Sequence, residues 1–262
     1  MNREKISILV PSYNEERHIR PCLEGLLWGD ELVVVDSFST DMTPAIAREY
    51  AHRVIQHEYI NSAAQKNWAL PQLTYDWVLI VDCDERITPE LRDEIQAILE
   101  NPDRLDGYYI YRKNHFIDQP VNYCGWQTDR CLRLFRKSLG KYEDKEVHAE
   151  VILNGNVGHL KKRMLHYTFD SFEQYMKKFD RYTSLAAVDR SRRTQTVRWY
   201  HLTLRPAFRF FKQYILKRGF LDGKTGLIIC ILAAFSVFLK YAKLWELHKR
   251  KKTPAQTPPT KK

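Results

Sequence analysis

The sequence predicts an α/β body built on a mostly parallel sheet, with a helical, membrane-associated arm at the C-terminal side. Three observations carry that expectation. From Ile6 to Leu99, short β-branched runs alternate with segments of helical period, the pattern of parallel strands joined by crossover helices. One of the runs, Trp77 to Val81, is aliphatic without interruption and leads into Asp82, Cys83, Asp84 and Glu85, so three carboxylates crowd the end of a strand buried on both faces. Beyond Leu202, aromatic and basic residues interleave and then give way to an almost wholly apolar stretch, Gly226 to Leu239.

The elements follow in order. Ile6 to Val10 reads as a strand ended by Pro11, and Asn14 or Glu15 opens a helix with Ile19, Leu23 and Leu26 or Leu27 on one face. Leu32 to Val35 is a second strand, ending in Asp36. Asp41, Thr43 and Pro44 form a helix entry for Ala45 to Ala51. Val54 to Gln56 is a weaker strand, and Asn61 or Ser62 caps a helix through Leu70. After the central run, Thr88 as cap and Pro89 at the first helical position lead into Leu91, Ile95, Ile98 and Leu99, a one-sided amphipathic helix.

Composition narrows the partners. The net charge of +10 over 262 residues calls for an anionic partner, whether nucleic acid, nucleotide phosphate or an acidic membrane surface. The five cysteines are odd in number and lack any CxxC pair, which indicates neither a disulfide framework nor a zinc site. The N-terminus has a short apolar run and no cleavage-like small-residue site, so it does not read as a signal peptide, and a reducing cytoplasm fits.

Like charges at the tip of a buried strand disfavour one another's ionisation, whereas a divalent cation bridging to phosphate oxygens makes them favourable. No GxGxxG or GxxxxGK[ST] is present, so phosphate must be met by a metal and by side chains such as Lys66 and Arg17. Open parallel sheets bind ligands outside the carboxyl ends of their strands, where the loops after the first, second and fourth strands converge.

ILVPSYNEE, VVVDSFSTD and VLIVDCDER, in that order, resemble the nucleotide-sugar half of GT-A fold (Rossmann-like) family 2 glycosyltransferases. The resemblance implies that Pro11, Tyr13 and Glu15 line a base pocket, that Asp36 reads the base edge, and that Lys66 and Asn67 lie near the ribose and diphosphate. Asp82 and Asp84 would match the DxD motif, Asp84 as the direct ligand to Mg²⁺ or Mn²⁺ and Asp82 closer to the sugar-nucleotide. Independently of any family, moving a glycosyl group from a nucleoside diphosphate builds negative charge on the departing diphosphate, which a carboxylate-held cation offsets.

The chain divides into residues 1–105 for the nucleotide-sugar half, 106–200 for an acceptor half, 201–252 for membrane-associated helices and 253–262 for a disordered Pro- and Thr-rich tail. In the second part, GYYIYR is an aromatic strand, and RCLRLFR reads as a strand whose arginines meet phosphates or form a solvated face. An inverting transfer needs a base for the attacking hydroxyl. The candidates are Asp144, Glu146, His148 and Glu150, the last three sharing one face if the segment is a strand. His166 is either a satisfied buried histidine or a distal metal or phosphate contact. Ser171 to Tyr182 carries an aromatic packing stripe.

Gly226 to Leu239 is 14 residues long, short of the ~20 that a spanning helix needs. With basic flanks at Lys240, Lys243 and His248 to Lys252 it reads as a helix lying among anionic inner-leaflet headgroups, with a buried core helix or a tilted span as alternatives. RLFR, LHYTF, YILKRGFLDGKTG and YAKLWE also resemble a bacterial subgroup of these enzymes, β-1,4-glucosyltransferases of the lipopolysaccharide inner core. That resemblance implies UDP-glucose as donor, a phosphorylated glycolipid heptose as acceptor, no nucleic acid, and a place at the cytoplasmic face of the inner membrane. A transferase acting on another lipid-linked glycan or polyprenyl phosphate, and a non-enzymatic basic membrane-binding module, are the competing expectations.

Overall fold

The computed structural model describes residues 3–144 and 149–252. The expected alternation is realised as β1 (Ile6–Ser12), α1 (Glu16–Glu24), β2 (Glu31–Asp36), α2 (Thr43–Tyr50), β3 (Arg53–Gln56), α3 (Ser62–Ala69), β4 (Trp77–Ile80), β5 (Glu85–Arg86) and α4 (Pro89–Glu100). Caps end the helices where the sequence puts them: Asn61 accepts from the Ala64 amide at 2.8 Å and Thr88 from Leu91 at 3.3 Å. Pro11 does not stop β1, which continues to Ser12.

The remaining strands are β6 (Gly107–Phe116), β7 (Gln119–Pro120), β8 (Arg130–Arg136), β9 (Gly140–Tyr142), β10 (Val151–Leu153) and β11 (Val157–Phe169). The main sheet runs β3-β2-β1-β4-β8-β6-β11-β5, with β7 on β6, while β9 and β10 pair apart from it. β3, β2, β1 and β4 are parallel, and β8 then adds antiparallel to β4, Val78 facing Phe135. Alternate residues of the central strands go to opposite cores. Ile8, Val10, Val34 and Leu79 pack with Ile19, Leu23, Leu91 and Ile95, while Leu9, Val33, Val35 and Ile80 pack with Ala63, Ala69 and Leu70. Both faces are covered, so the strands read as unbroken apolar runs.

Contacts divide the chain into two compact units, Met1–His115 with Gln127–Thr168, and Phe116–Trp126 with Phe169–Lys262. The boundaries expected at 105 and 200 are therefore displaced. The helix that begins at the aromatic stripe, α5 (Phe172–Ser191), belongs with the C-terminal arm, because its Phe179 stacks on Phe235 at 5.8 Å and its Asp180 holds Lys243 at 2.7 Å. The arm continues through α6 (Trp199–Leu202), α7 (Leu204–Phe211), a π-helical turn at Lys212–Leu216 and α8 (Gly223–Lys252). Asp222 accepts the amides of Asn122 at 3.1 Å and Tyr123 at 2.8 Å, tying the 116–126 segment to the start of α8.

α8 is 30 residues long, more than twice the apolar stretch that announced it, because helical geometry runs on through its basic flank. Together with the turn before it, it is long and apolar enough to cross a membrane, with 22% of its apolar window buried. One face is covered: Ile229 and Cys230 pack on the 116–126 segment, and Tyr241 and Leu244 on Ala187. Ile231, Phe235 and Trp245 are exposed.

Candidate active site

β4 carries the acidic turn to the end of the parallel strands, where the Glu85 amide closes it on the Asp82 carbonyl at 2.9 Å. The three carboxylates then part company. Asp82 lines a cavity of about 450 Å³ and binds two cations, Lys66 Nζ at 2.9 Å on one oxygen and Arg133 Nη2 on the other. Burial alone would raise its carboxyl, but the charges of Arg133 and Lys66 override that and hold it well below the usual range. Each of its oxygens faces a cation, so Asp82 fixes Lys66 and Arg133 at the cavity wall.

Glu85, expected with Asp82 and Asp84 to form a cation-binding cluster, is fully buried. It accepts from Arg112 Nε at 2.9 Å, Arg133 Nη2 at 2.8 Å and the Asp82 amide at 3.0 Å. Arg133 is thus neither a solvated face nor an open phosphate contact: it is buried between two carboxylates. Such a cluster is stable only as a set, because removing one member leaves a buried charge without its partner.

Asp84 meets β11. Its carbonyl accepts the Tyr167 amide at 2.8 Å, and β5 pairs with β11 so that His166 stands opposite Glu85. His166 Nε2 lies 3.6 Å from Asp84 Oδ2. Its Nδ1 lies 2.6 Å from Asn114 Oδ1, and that oxygen is identified by the Asn114 Nδ2 bond to Asp129 at 3.1 Å. With Nδ1 on Asn114, Nε2 is the ring nitrogen that faces the Asp84 carboxylate. A carboxylate and an imidazole fixed through its other nitrogen, set side by side, are groups of the kind that hold a divalent cation. Among the described residues no group of three or more such ligands occurs, so phosphate oxygens or water would complete the shell of Mg²⁺ or Mn²⁺. His166 is both a partnered histidine and a candidate ligand, two readings that the sequence set against each other.

Lys66, Asp82, Arg112, Asp129, Arg133 and Glu150 share the cavity. Among the described residues, Glu150 is the expected base found on its wall. It precedes β10 instead of lying in it: its carbonyl accepts the Glu143 amide at 2.9 Å and its amide donates to the Glu143 carboxylate at 3.2 Å. The shared strand face expected for Glu146, His148 and Glu150 therefore does not extend to Glu150, and Glu146 and His148 lie outside the described residues. Asp144 is exposed and does not line the cavity.

On the nucleotide side, the loops after β1 and β2 are laced together. The Asn14 amide donates to Ser39 Oγ at 2.9 Å, the Thr40 amide to Asn14 Oδ1 at 2.9 Å and the Glu15 amide to Thr43 at 2.7 Å. Asn14 and Phe38 are left-handed, with φ of 52° and 57°. Pro11 is half-buried, whereas Tyr13 and Phe38 stand out at the rim as exposed aromatic faces suited to a base. Asp36 is buried, its oxygens taken by Ser12, Ser39 and Gln56, so it braces this loop instead of presenting an edge to a base. Asn67 departs from its expected place too. Both ends of its amide grip the Tyr142 backbone, at 3.0 and 2.8 Å, anchoring β9 rather than facing a diphosphate.

Comparison with known proteins agrees with this geometry. Residues 7–147, more than half of the chain, match the family described as glycosyl transferase family 2. The lipopolysaccharide core biosynthesis glycosyltransferase LpsC of Rhizobium meliloti (strain 1021) is 28% identical over 256 residues, covering 95% of each chain. An uncharacterized glycosyltransferase of Rickettsia felis is 32% identical over 256 residues, covering 93% of this chain and 90% of its own. Among solved structures, residues 1–349 of S. aureus TarS in complex with UDP-GlcNAc are 18% identical, with a TM-score of 0.49 and coverage of 96% and 93%. The acidic turn at the end of β4, the doubly covered sheet with its parallel half, the family match and the extent of the Rickettsia felis relative agree on one assignment: the chain has the GT-A type of α/β fold and belongs to glycosyltransferase family 2.

Proposed function

We propose that this glycosyltransferase moves a sugar, with inversion, from a UDP-sugar, UDP-glucose first among the candidates, to a phosphorylated glycolipid of the lipopolysaccharide inner-core type. The observation that carries the reading is the acidic turn after β4, in which Asp84 faces His166 and Asp82 reaches the cavity walled by Lys66, Arg133 and Glu150. The similarity to LpsC supports the acceptor class. Asp84 and His166 would hold the divalent ion, which when bound supplies positive charge to the departing diphosphate.

The chain's own groups do the rest. Glu150 takes the proton of the acceptor hydroxyl as its oxygen bonds to the anomeric carbon, and the bond to the donor phosphate oxygen breaks with its electron pair going to the diphosphate. Lys66, already held at the cavity by Asp82, stabilises the charge that develops there. Tyr13 and Phe38 stack on the uracil. The helical unit, with Phe208, Phe211 and Ile231 exposed beside Arg205, Arg209 and Lys212, rests among the headgroups of the cytoplasmic face of the inner membrane.

The test is release of nucleotide from a panel of UDP-, GDP- and CMP-sugars, with and without Mn²⁺. Metal-dependent UDP release, lowered in kcat by on the order of 10³-fold in Asp84→Asn and by at least about tenfold in Glu150→Gln, is the expected result. Undiminished release by Asp84→Asn would reject the metal assignment.

A further inference from the structure

The helical unit holds a second concentration of positive charge, made of Arg190 on α5, Arg205 and Arg209 on α7, and Lys240 on α8. Arg205 and Lys240 flank one ring. The Arg205 guanidinium carbon lies 5.3 Å from the centroid of Tyr241 and Lys240 Nζ 5.0 Å from it, and Arg205 also donates to the Tyr241 hydroxyl. Tyr241 is itself buried and stacked on His201 at 4.7 Å, so the platform beneath the two cations is rigid.

Among the described residues none of the four cations lies within ion-pair distance of a carboxylate. Arg190 Nε is buried with no hydrogen-bond partner there. Burial, and after it the charges of Arg190, Arg205 and Arg209, lower the Lys240 ammonium from its ordinary value. Ordinary surface lysines and arginines spread apart and keep their heads in water. These are gathered instead, and Arg205 is pinned.

We propose that this cluster is a binding site for the phosphomonoester headgroup of a membrane lipid. A phosphomonoester carries about −1.5 to −2 charges and three acceptor oxygens, which matches several forked donors better than a singly charged diester does. A lipid is the source argued for because the adjoining groove of about 500 Å³ sets Arg205, Arg209 and Lys212 beside Leu204, Phe208 and Val237, and because Leu204 and Phe208 are exposed. A soluble phosphate would have no use for that apolar rim. The site lies outside the transfer chemistry and rests only on the membrane-facing reading of the arm.

The experiment is flotation of the full-length protein with three vesicles: phosphatidylcholine alone, phosphatidylcholine with phosphatidic acid, and phosphatidylcholine with phosphatidylglycerol at matched charge. Binding to the neutral vesicle reports the arm, and the ratio between the two anionic vesicles reports the site. Wild type should favour phosphatidic acid by at least about tenfold. Arg205→Gln/Arg209→Gln and Lys240→Gln should bring that ratio close to one, Lys240→Arg should restore it, and Lys249→Gln/Arg250→Gln should weaken both anionic vesicles while keeping the ratio. Melting temperatures within a few degrees of wild type are required of each variant, and Arg205→Gln/Arg209→Gln remains decisive if Lys240→Gln fails to fold. A wild-type ratio near one, or an equal fall on both vesicles in the cluster variants, would reduce the site to unspecific attraction and overturn it. So would displacement from phosphatidic acid by millimolar glycerol phosphate at constant ionic strength, which would make the ligand a soluble phosphate.

Discussion

Two clusters of basic residues in this protein are built from the same parts and stand in opposite electrostatic states. At the end of β4, Lys66 Nζ lies 5.3 Å from the ring of Tyr142; in the helical unit, Lys240 Nζ lies 5.0 Å from that of Tyr241. Both lysines have arginines for neighbours. The first cluster also contains Asp82 and Glu85, so although burial lowers the Lys66 ammonium, the charge of Asp82 outweighs it and the net shift is upward. The second has no acid within ion-pair distance among the described residues, and Lys240 shifts downward. Composition does not separate a structural charge cluster from one that awaits a ligand. The counter-charges supplied by the same chain do.

The sharpest way to break the comparison is to remove one arginine from each cluster. Arg133→Met takes a shared cation from Asp82 and Glu85, both of which stay in place with less compensation, and should cost about 3–5 kcal/mol of stability in urea unfolding. Arg209→Gln strips a cation from a group of like charges and orphans no acid, so its stability should stay within about 0.5 kcal/mol of wild type or rise. If Arg209→Gln destabilised as much as Arg133→Met, the helical cluster would be a structural one and the contrast would fail. An intermediate effect is expected of Asp82→Asn, about 1–3 kcal/mol, since Lys66 would then be buried with only a neutral partner.

Much of the first cluster was legible in the sequence, and its wiring was not. The aliphatic run at Trp77 to Val81, the Thr88 cap and the acidic turn are local signals, each settled by residues within a few positions of one another. Arg133 is not local: its partners Asp82 and Glu85 lie 51 and 48 residues away and meet it only because β8 adds antiparallel to β4. A strand reading RCLRLFR carries the alternation of a half-exposed face, and nothing within it reveals that the polar face is covered too. The same holds for His166, which reaches Asp84 through the pairing of β5 with β11, and for Asn67, whose amide is consumed by β9. The apolar run is shorter than the helix that holds it because polarity and helicity part company: Lys240 and the residues after it end the run without ending α8.

The smallest expected effect tests how far the uncompensated charge reaches. His201 stacks on Tyr241 and accepts the Arg198 amide at Nδ1, at 3.0 Å. Its pKa is lowered, first by burial and then by Arg205 and Arg190. A histidine whose folded value lies below its unfolded value of about 6.5 binds fewer protons when folded, so stability falls as pH drops through that value. Asp82 has the same sign but a lower window: its folded value is also depressed, from a carboxylate reference near 3.9, so its contribution persists down to about pH 4 and is lost only below that. Acidification should therefore loosen the helical unit first, near pH 6, while the turn after β4 holds. Arg205→Gln should raise the His201 pKa, followed by NMR titration of its ring, but not back to its ordinary value, because burial remains when one cation is gone. An unchanged His201 in that variant would show that burial alone sets it, and that the charges of the helical cluster are screened by solvent before they reach a neighbour one ring away.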